Sequence, residues 1–269
     1  MNPDPVAQWL LCVGLSLAVS VVTFWGIGGL VHRRYYVRRR LRAAEWKLQP
    51  SRWLGPALSR HSFLLGGFNL LVGSLLGGTF TCWVLRGGRT ALYSSVREHG
   101  LWWLPLSFVL ALFAIDAGLY YSHRLLHNRF FFRHVHRIHH RYVAPTIFTT
   151  TAMHPIEFLT FTFFLALPAF VIPMHASVYI AVIGYTYLIG MIDHAGIRVR
   201  WKLPLHSDNR FHDEHHLYFH CNYGHHTALF DRLHGTARRP DRHYDEHTFG
   251  GRGAPIVKEQ EPRAPDVAA

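Results

Sequence analysis

Long uncharged runs decide the class of fold for this chain. From Val6 to Val31 no residue is charged, and at about 1.5 Å rise per residue a helix of that length exceeds the hydrocarbon core of a bilayer. Ser62 to Leu85 is a second such run. A third, Leu101 to Ser122, opens on Trp102 and Trp103 and carries only Asp116. A fourth, Phe158 to Ile192, is broken near Pro168 and Pro173. Its halves of about 17 residues are short for full spans and read as a hairpin that dips into the membrane and returns. The fold class that follows is all-α: an integral membrane helical bundle of about three full spans plus a membrane hairpin, with a cytosolic histidine-rich helical cap.

Charge gives the bundle a direction. Arg33, Arg34, Arg38, Arg39, Arg40 and Arg42 follow the first run; no basic residue precedes it and no small-residue cleavage pattern closes it. The run therefore reads as a spanning helix and not as a cleaved signal. The positive-inside rule puts the N-terminus outside and the arginine cluster in the cytoplasm. A net charge of +12 suits a protein lying on anionic lipid. It does not indicate nucleic acid, because no recognition module is present and the arginines flank membrane segments. Cys12, Cys82 and Cys221 are too dispersed for a disulfide framework or a thiolate metal site. Three regions result: residues 1–100 with the first membrane helices and a basic cytosolic loop, residues 101–237 as the catalytic region, and residues 238–269 as a polar, disordered tail.

The chain has 22 histidines in 269 residues, and nine of them fall in a pattern: His123-x3-His127, His136-x2-His139-His140, His194, and His212-x2-His215-His216. Helical residues four apart share a face, so each group presents a stripe of imidazoles. The topology brings all of them out on one side of the membrane, His123 to His140 after the third run and His194 to His216 after the hairpin. His175, at the hairpin's far tip, is expected in mid-membrane and apart from them. Nine imidazoles are too many for one metal ion and suit two. All-nitrogen ligation points to Fe, Zn, Cu or Ni and away from Mg or Ca. A second set of residues would orient these rings through their far nitrogens. Asp116, two turns before His123 on the same helix face, is the first candidate for that task; Asp193 is another, with Asp213 and Asp231 weaker. Two readings without redox chemistry compete: a metal-binding or metal-transporting membrane protein, which would place its ionisable residues near the bilayer midplane, and a zinc-dependent lipid hydrolase, which needs far fewer ligands.

Four stretches resemble the fatty acid hydroxylase superfamily, which includes sterol desaturases. They are Asp116-x3-Tyr120-Tyr121-x-His123-Arg124-x2-His127, then His134-x-His136-Arg137-Ile138-His139-His140, then His154-Pro155, and finally His212-x2-His215-His216 with Asn222-Tyr223-Gly224 and Asp231-Arg232-Leu233-x-Gly235-Thr236. The run from His139 to Thr146 followed by His154-Pro155 is most similar to the sterol C5-desaturase branch. The resemblance implies a membrane oxidoreductase that hydroxylates or desaturates a lipid, sterol-like or acyl, with dioxygen and external electrons. It implies two non-haem iron ions, with Zn possible in purified protein, held by His123, His127, His136, His139, His140, His194, His212, His215 and His216. It also implies a separate electron donor, a cytochrome b5-like protein or a ferredoxin with its reductase. Hydroxylases of the family carry a second histidine four residues after the His194 position, where this chain has Arg198; His154 or His206 is the possible extra ligand. His220, His225 and His226 lie close enough to the last triplet to support its rings, but read first as a solvated loop beside it.

Overall fold

The computed structural model describes residues 4–199 and 206–256. The first run becomes α1 (Pro5–Val37), a 33-residue helix. Asp4 caps its start by accepting the Ala7 N–H at 2.9 Å. Two π-helical stretches, Val21–Ile27 and Arg33–Val37, carry it past the apolar run into Arg33 and Arg34. The helix α2 (Pro56–Leu85) has proline at its first position, where a missing N–H costs nothing. It lies tightly against α1. A Cβ at Gly78 would enter the backbone of Val13, and one at Gly67 would meet the Trp25 ring at 2.8 Å. Small residues at such crossings let two membrane helices approach where lipid offers no hydrophobic drive.

The third run forms α3 (Trp103–Leu126). A helical stretch at 129–140, α4, runs through π geometry over Phe132–His136 and returns to α-helix over Arg137–His140. The hairpin consists of α5 (Pro155–Ala166), a short turn of helix at Pro168–Val171, and α6 (Ala176–His194). Among the described residues four helices, α1, α2, α3 and α6, are long and apolar enough to cross a membrane. The hairpin is thus asymmetric, because the break at Pro168 shortens only its first limb.

Its tip also reaches further than the sequence suggests. Strand β2 (Met174–His175) pairs in parallel with β1 (Leu92–Tyr93), in the loop joining α2 to α3. After the shortened first limb, the turn at Pro168–Val171 carries the chain on to that loop. His175 is therefore not at mid-membrane: it lies level with this loop, its Nε2 donating to the Ser94 carbonyl at 2.9 Å. Large apolar residues on the outer faces, among them Leu11, Leu15, Leu64, Phe68, Phe113 and Ile180, are exposed, as a lipid-facing surface requires.

At the opposite end the cap gathers segments 38–55 and 127–154 with α7 (Asn209–Tyr218) and α8 (Leu229–His234). A small core of Tyr36, Trp46, Ile147, Met191, Ala195 and Ile197 joins it to the membrane helices. The Tyr36 hydroxyl donates toward the carbonyls of Ala195 (2.8 Å) and Pro145 (3.1 Å), which ties the end of α1 to the end of α6. Gly196 follows at φ +61°, and a Cβ there would meet the Pro145 carbonyl at 2.6 Å, so the turn beyond His194 needs glycine. The polar tail departs from expectation up to Ile256. Strands β3 (Arg242–His243) and β4 (Ala254–Pro255) pair, Tyr244 is buried, and the Arg238 N–H donates to Asn222 at 2.7 Å. The strand pair folds this stretch on itself, and its bonds to Asn222 and His220 fasten it to the cap. Residues 257–269 lie outside the described residues.

Candidate metal centre

The nine histidines converge into two groups. His123, His127, His136, His140 and His215 form one; His139, His194, His212 and His216 form the other. All nine are buried. Within each group one ring nitrogen per residue lies within 4.8 Å of the others. In the larger group Nε2 of His136 faces Nε2 of His123 at 3.0 Å and of His140 at 3.1 Å. In the smaller, Nε2 of His194 faces Nε2 of His212 at 3.0 Å and of His139 at 3.2 Å.

The triplets are interlocked. His136 and His140, four apart, enter the first group while His139 between them enters the second. His212 and His216 enter the second while His215 enters the first. Residues three and four apart diverge by a sizeable angle around a helix, enough here for each triplet to serve two centres.

Nitrogens bound about 2.0–2.1 Å from one ion sit roughly 3 Å apart at neighbouring positions, which matches these spacings. Several nitrogens in the groups have no partner in the protein: Nε2 of His127 and His215, and both ring nitrogens of His216. Buried polar atoms are seldom left so. Burial first, and neighbouring imidazoles second, hold His127, His136, His140, His212, His215 and His216 well below the usual histidine pKa. Burial alone pushes His139 down to about 4, against the opposing effect of its bond to Ala152. Neutral imidazole is the form that binds a metal. The donor set therefore fits two transition-metal ions.

The far nitrogens show what aims the rings. Nδ1 of His136 donates to Glu157 Oε1 at 2.7 Å, and Nδ1 of His123 to the Tyr223 carbonyl at 2.8 Å. Nδ1 of His215 donates to the Cys221 carbonyl at 2.7 Å, and that of His139 to the Ala152 carbonyl at 3.1 Å. His220 donates from Nε2 to the Glu246 carbonyl at 2.9 Å, leaving its Nδ1 to accept from Nδ1 of His127 at 3.0 Å. Each bond fixes a tautomer that turns Nε2 inward.

The carbonyls are themselves held. Asp231 takes the N–H groups of Tyr223 and Gly224 at 2.9 and 2.7 Å and the Thr236 hydroxyl at 2.6 Å. Asn222, at φ +55°, binds the Phe211 carbonyl and the Arg238 N–H. The Asn-Tyr-Gly and Asp-Arg-Leu-x-Gly-Thr runs are thus a brace for two imidazoles. Asn69, in α2, does the same for His139, donating to the carbonyls of Thr151 and Met153 on either side of Ala152 at 2.7 and 2.8 Å.

Residues 108–236, which contain both groups and the Asp231 brace, match the family model "Fatty acid hydroxylase". This stretch is a fatty acid hydroxylase domain. Its relatives lie on the sterol desaturase branch. It is similar to the Delta(7)-sterol 5(6)-desaturase erg31 of Schizosaccharomyces pombe, with 30% identity over 57% of this chain and 51% of that protein. It is also similar to ERG3 of Saccharomyces cerevisiae, with 30% identity over 57% of this chain and 42% of that one, and to human lathosterol oxidase, with 32% identity over 62% and 55%. The chain spans about half the length of the curated relatives it matches. No solved structure matches it.

The other candidates lie outside the two groups of the hydroxylase domain. Nδ1 of His154 accepts the Ile156 N–H at 3.1 Å and caps α5. His206 pairs with Asp193 at 2.9 Å, so Asp193 binds no imidazole of either group. Arg198 is exposed and bonds to the backbone of Trp46 and Lys47, away from the smaller group's four rings. Asp116 also touches none of the nine rings. Its carboxylate takes the His226 N–H at 2.9 Å and the Thr227 hydroxyl at 2.6 Å, because the loop after Gly224 folds down onto α3 and reaches it first. Asp213 bonds to Gln49 at 3.0 Å. Burial raises its pKa to about 6 and lowers that of neighbouring Lys47 to about 8.

Glu157 is the orienting residue that sequence reasoning missed, and His220, read first as part of a solvated loop, is a second one. Glu157 did leave a signal. It is an acidic residue in the first turn of an otherwise uncharged apolar helix, a position where a carboxylate is costly without a partner.

Proposed function

We propose that the chain is a membrane-bound oxidoreductase in which His123, His127, His136, His140 and His215 hold one iron ion and His139, His194, His212 and His216 a second. The observation that carries this reading is the division of nine buried, neutral imidazoles into two groups with ligand-like spacing. Bound iron would supply the dioxygen chemistry that attacks an inert lipid C–H bond. The protein's share is to hold the ligands neutral, fix their tautomers through Glu157, His220 and the carbonyls of Ala152, Cys221 and Tyr223, and keep water out of the centre. The centre sits where α3 and α6 end. A lipid in the bilayer can therefore reach it from the apolar side while electrons enter from the cap.

The relatives' names make a Delta(7)-sterol, desaturated at its 5(6) position, the first substrate to try. An acyl chain is the next, and hydroxylation is the alternative outcome. The positive-inside rule applied to Arg33, Arg34, Arg38, Arg40 and Arg42, all exposed, puts the cap in the cytoplasm. The same basic face suits an acidic donor, a cytochrome b5-like protein or a ferredoxin with its reductase.

The test is to purify the chain in detergent, measure metal content, and supply lathosterol, dioxygen and reduced donor. Two irons per chain and a product lighter by two hydrogens support the reading. One zinc per chain, no iron and no dioxygen uptake would sink it.

A further inference from the structure

The loop after Gly224 holds an imidazole that belongs to neither ligand group. The ring of His225 lies 4.9 Å from that of His123 in the five-histidine group and 5.8 Å from that of His212 in the four-histidine group. His225 therefore stands at the seam of the two. On another side it meets Phe161 of α5 edge-on at 5.2 Å, so it also borders the apolar wall of the hairpin. The nine grouped histidines are buried, whereas His225 is only partly so.

Its placement is imposed. Asp116 takes the backbone N–H groups of His226 at 2.9 Å and Thr227 at 3.4 Å as well as the Thr227 hydroxyl at 2.6 Å. The same helix, α3, carries Asp116 and His123, so the height of His225 against His123 is set by one rigid element. The ring of His226 turns the other way, to the Thr186 hydroxyl at 3.2 Å. Yet Nδ1 of His225 is buried and has no partner. A buried polar atom held in place by so much structure implies a partner that the chain itself does not supply.

We propose that His225 donates a hydrogen bond to the small oxygen-bearing or anionic ligand held between the two metals, without itself coordinating a metal. This rests on the two-iron reading above. Its position at the seam puts it within reach of both metal sites, and its contact with Phe161 puts it on the side from which a lipid enters. Asp116 is then a positioning residue for His225 and not for the metal ligands.

The experiment uses the full chain, loaded with iron, with azide as the probe. Metal content is measured for the wild type, His225→Phe and His225→Gln, and each is titrated with azide by its charge-transfer absorption. Two irons per chain are expected in all three. Azide affinity should fall about tenfold or more in His225→Phe, the effect of one lost hydrogen bond to a charged group, and recover in His225→Gln, whose amide still donates. Loss of one iron in both variants would make His225 a ligand and overturn the proposal, as would equal azide affinity in all three proteins. A wild type that fails to hold two metals defeats the two-iron reading itself, and the inference falls with it.

Discussion

His136 and Glu157 form a fully buried pair, Nδ1 to Oε1 at 2.7 Å, that joins the cap to the first turn of the membrane hairpin. One inward-facing imidazole thus takes its aim from an apolar helix. The other oxygen of Glu157 has no partner, so the carboxylate is committed to this ring. Glu157→Gln keeps the shape but weakens the acceptor, and metal affinity should drop by roughly tenfold to a hundredfold, the usual cost of removing such a support. Competition with a chelator under limiting iron measures it. Affinity equal to the wild type would mean that His136 is held by packing alone.

The interlocked triplets make a second prediction. His139→Ala leaves three imidazoles in its group, whereas His215→Ala leaves four in the other. His139→Ala should fall to about one metal per chain, and His215→Ala should keep more than that with a weakened site. The double variant His136→Ala/His140→Ala strips two ligands from one group and none from the other, so it too should retain about one. Elemental analysis of the purified variants decides. If every one of them loses all metal, the two groups are not separable sites.

How much of this was legible beforehand depends on range. His123, His127, His136, His140, His212 and His216 announce themselves through local helical spacing, and the uncharged runs place them on one membrane face. The partition into two groups was not legible, because it depends on how α4 and α7 face each other across the cap. Asp116 was read from its phase on α3, which is correct for the helix. The loop from Gly224 to Thr227 intercepts it, and nothing local to Asp116 records that loop. Glu157, His220 and the Ala152 carbonyl are the opposite case: each orients its imidazole by a contact between segments whose meeting is fixed by the fold. The reach of α6 was underestimated for a related reason, since Pro168 and Pro173 mark the turn without showing that only the first limb is shortened.

Asp231 tests whether the flanking motif is a brace. It is fully buried and accepts from two backbone N–H groups and one hydroxyl. Asp231→Ala strands those donors and should cost about 3 kcal/mol of stability, seen as an earlier thermal transition in detergent. Metal affinity should fall as well, because the Tyr223 carbonyl that aims His123 loses its anchor. A variant that unfolds earlier but binds metal as before would confine Asp231 to a role in stability.

Acid supplies the last test. Burial holds His136, His140, His212, His215 and His216 well below the usual value of 6.5, and His139 at about 4. The unfolded chain takes up these protons near pH 6.5 while the folded chain refuses them, so the unfolded state binds more protons as the pH falls. Stability of the metal-free protein is therefore full above about pH 6.5 and declines below it, by up to about 1.4 kcal/mol per pH unit for each proton refused. Metal-loaded protein should resist until protons compete for the ligands, and then release metal and unfold together. Thermal melts of both forms at pH 8, 6.5 and 5 separate the two cases. A metal-free protein equally stable at all three would mean that the clustered imidazoles are open to solvent and take up their protons in the folded state.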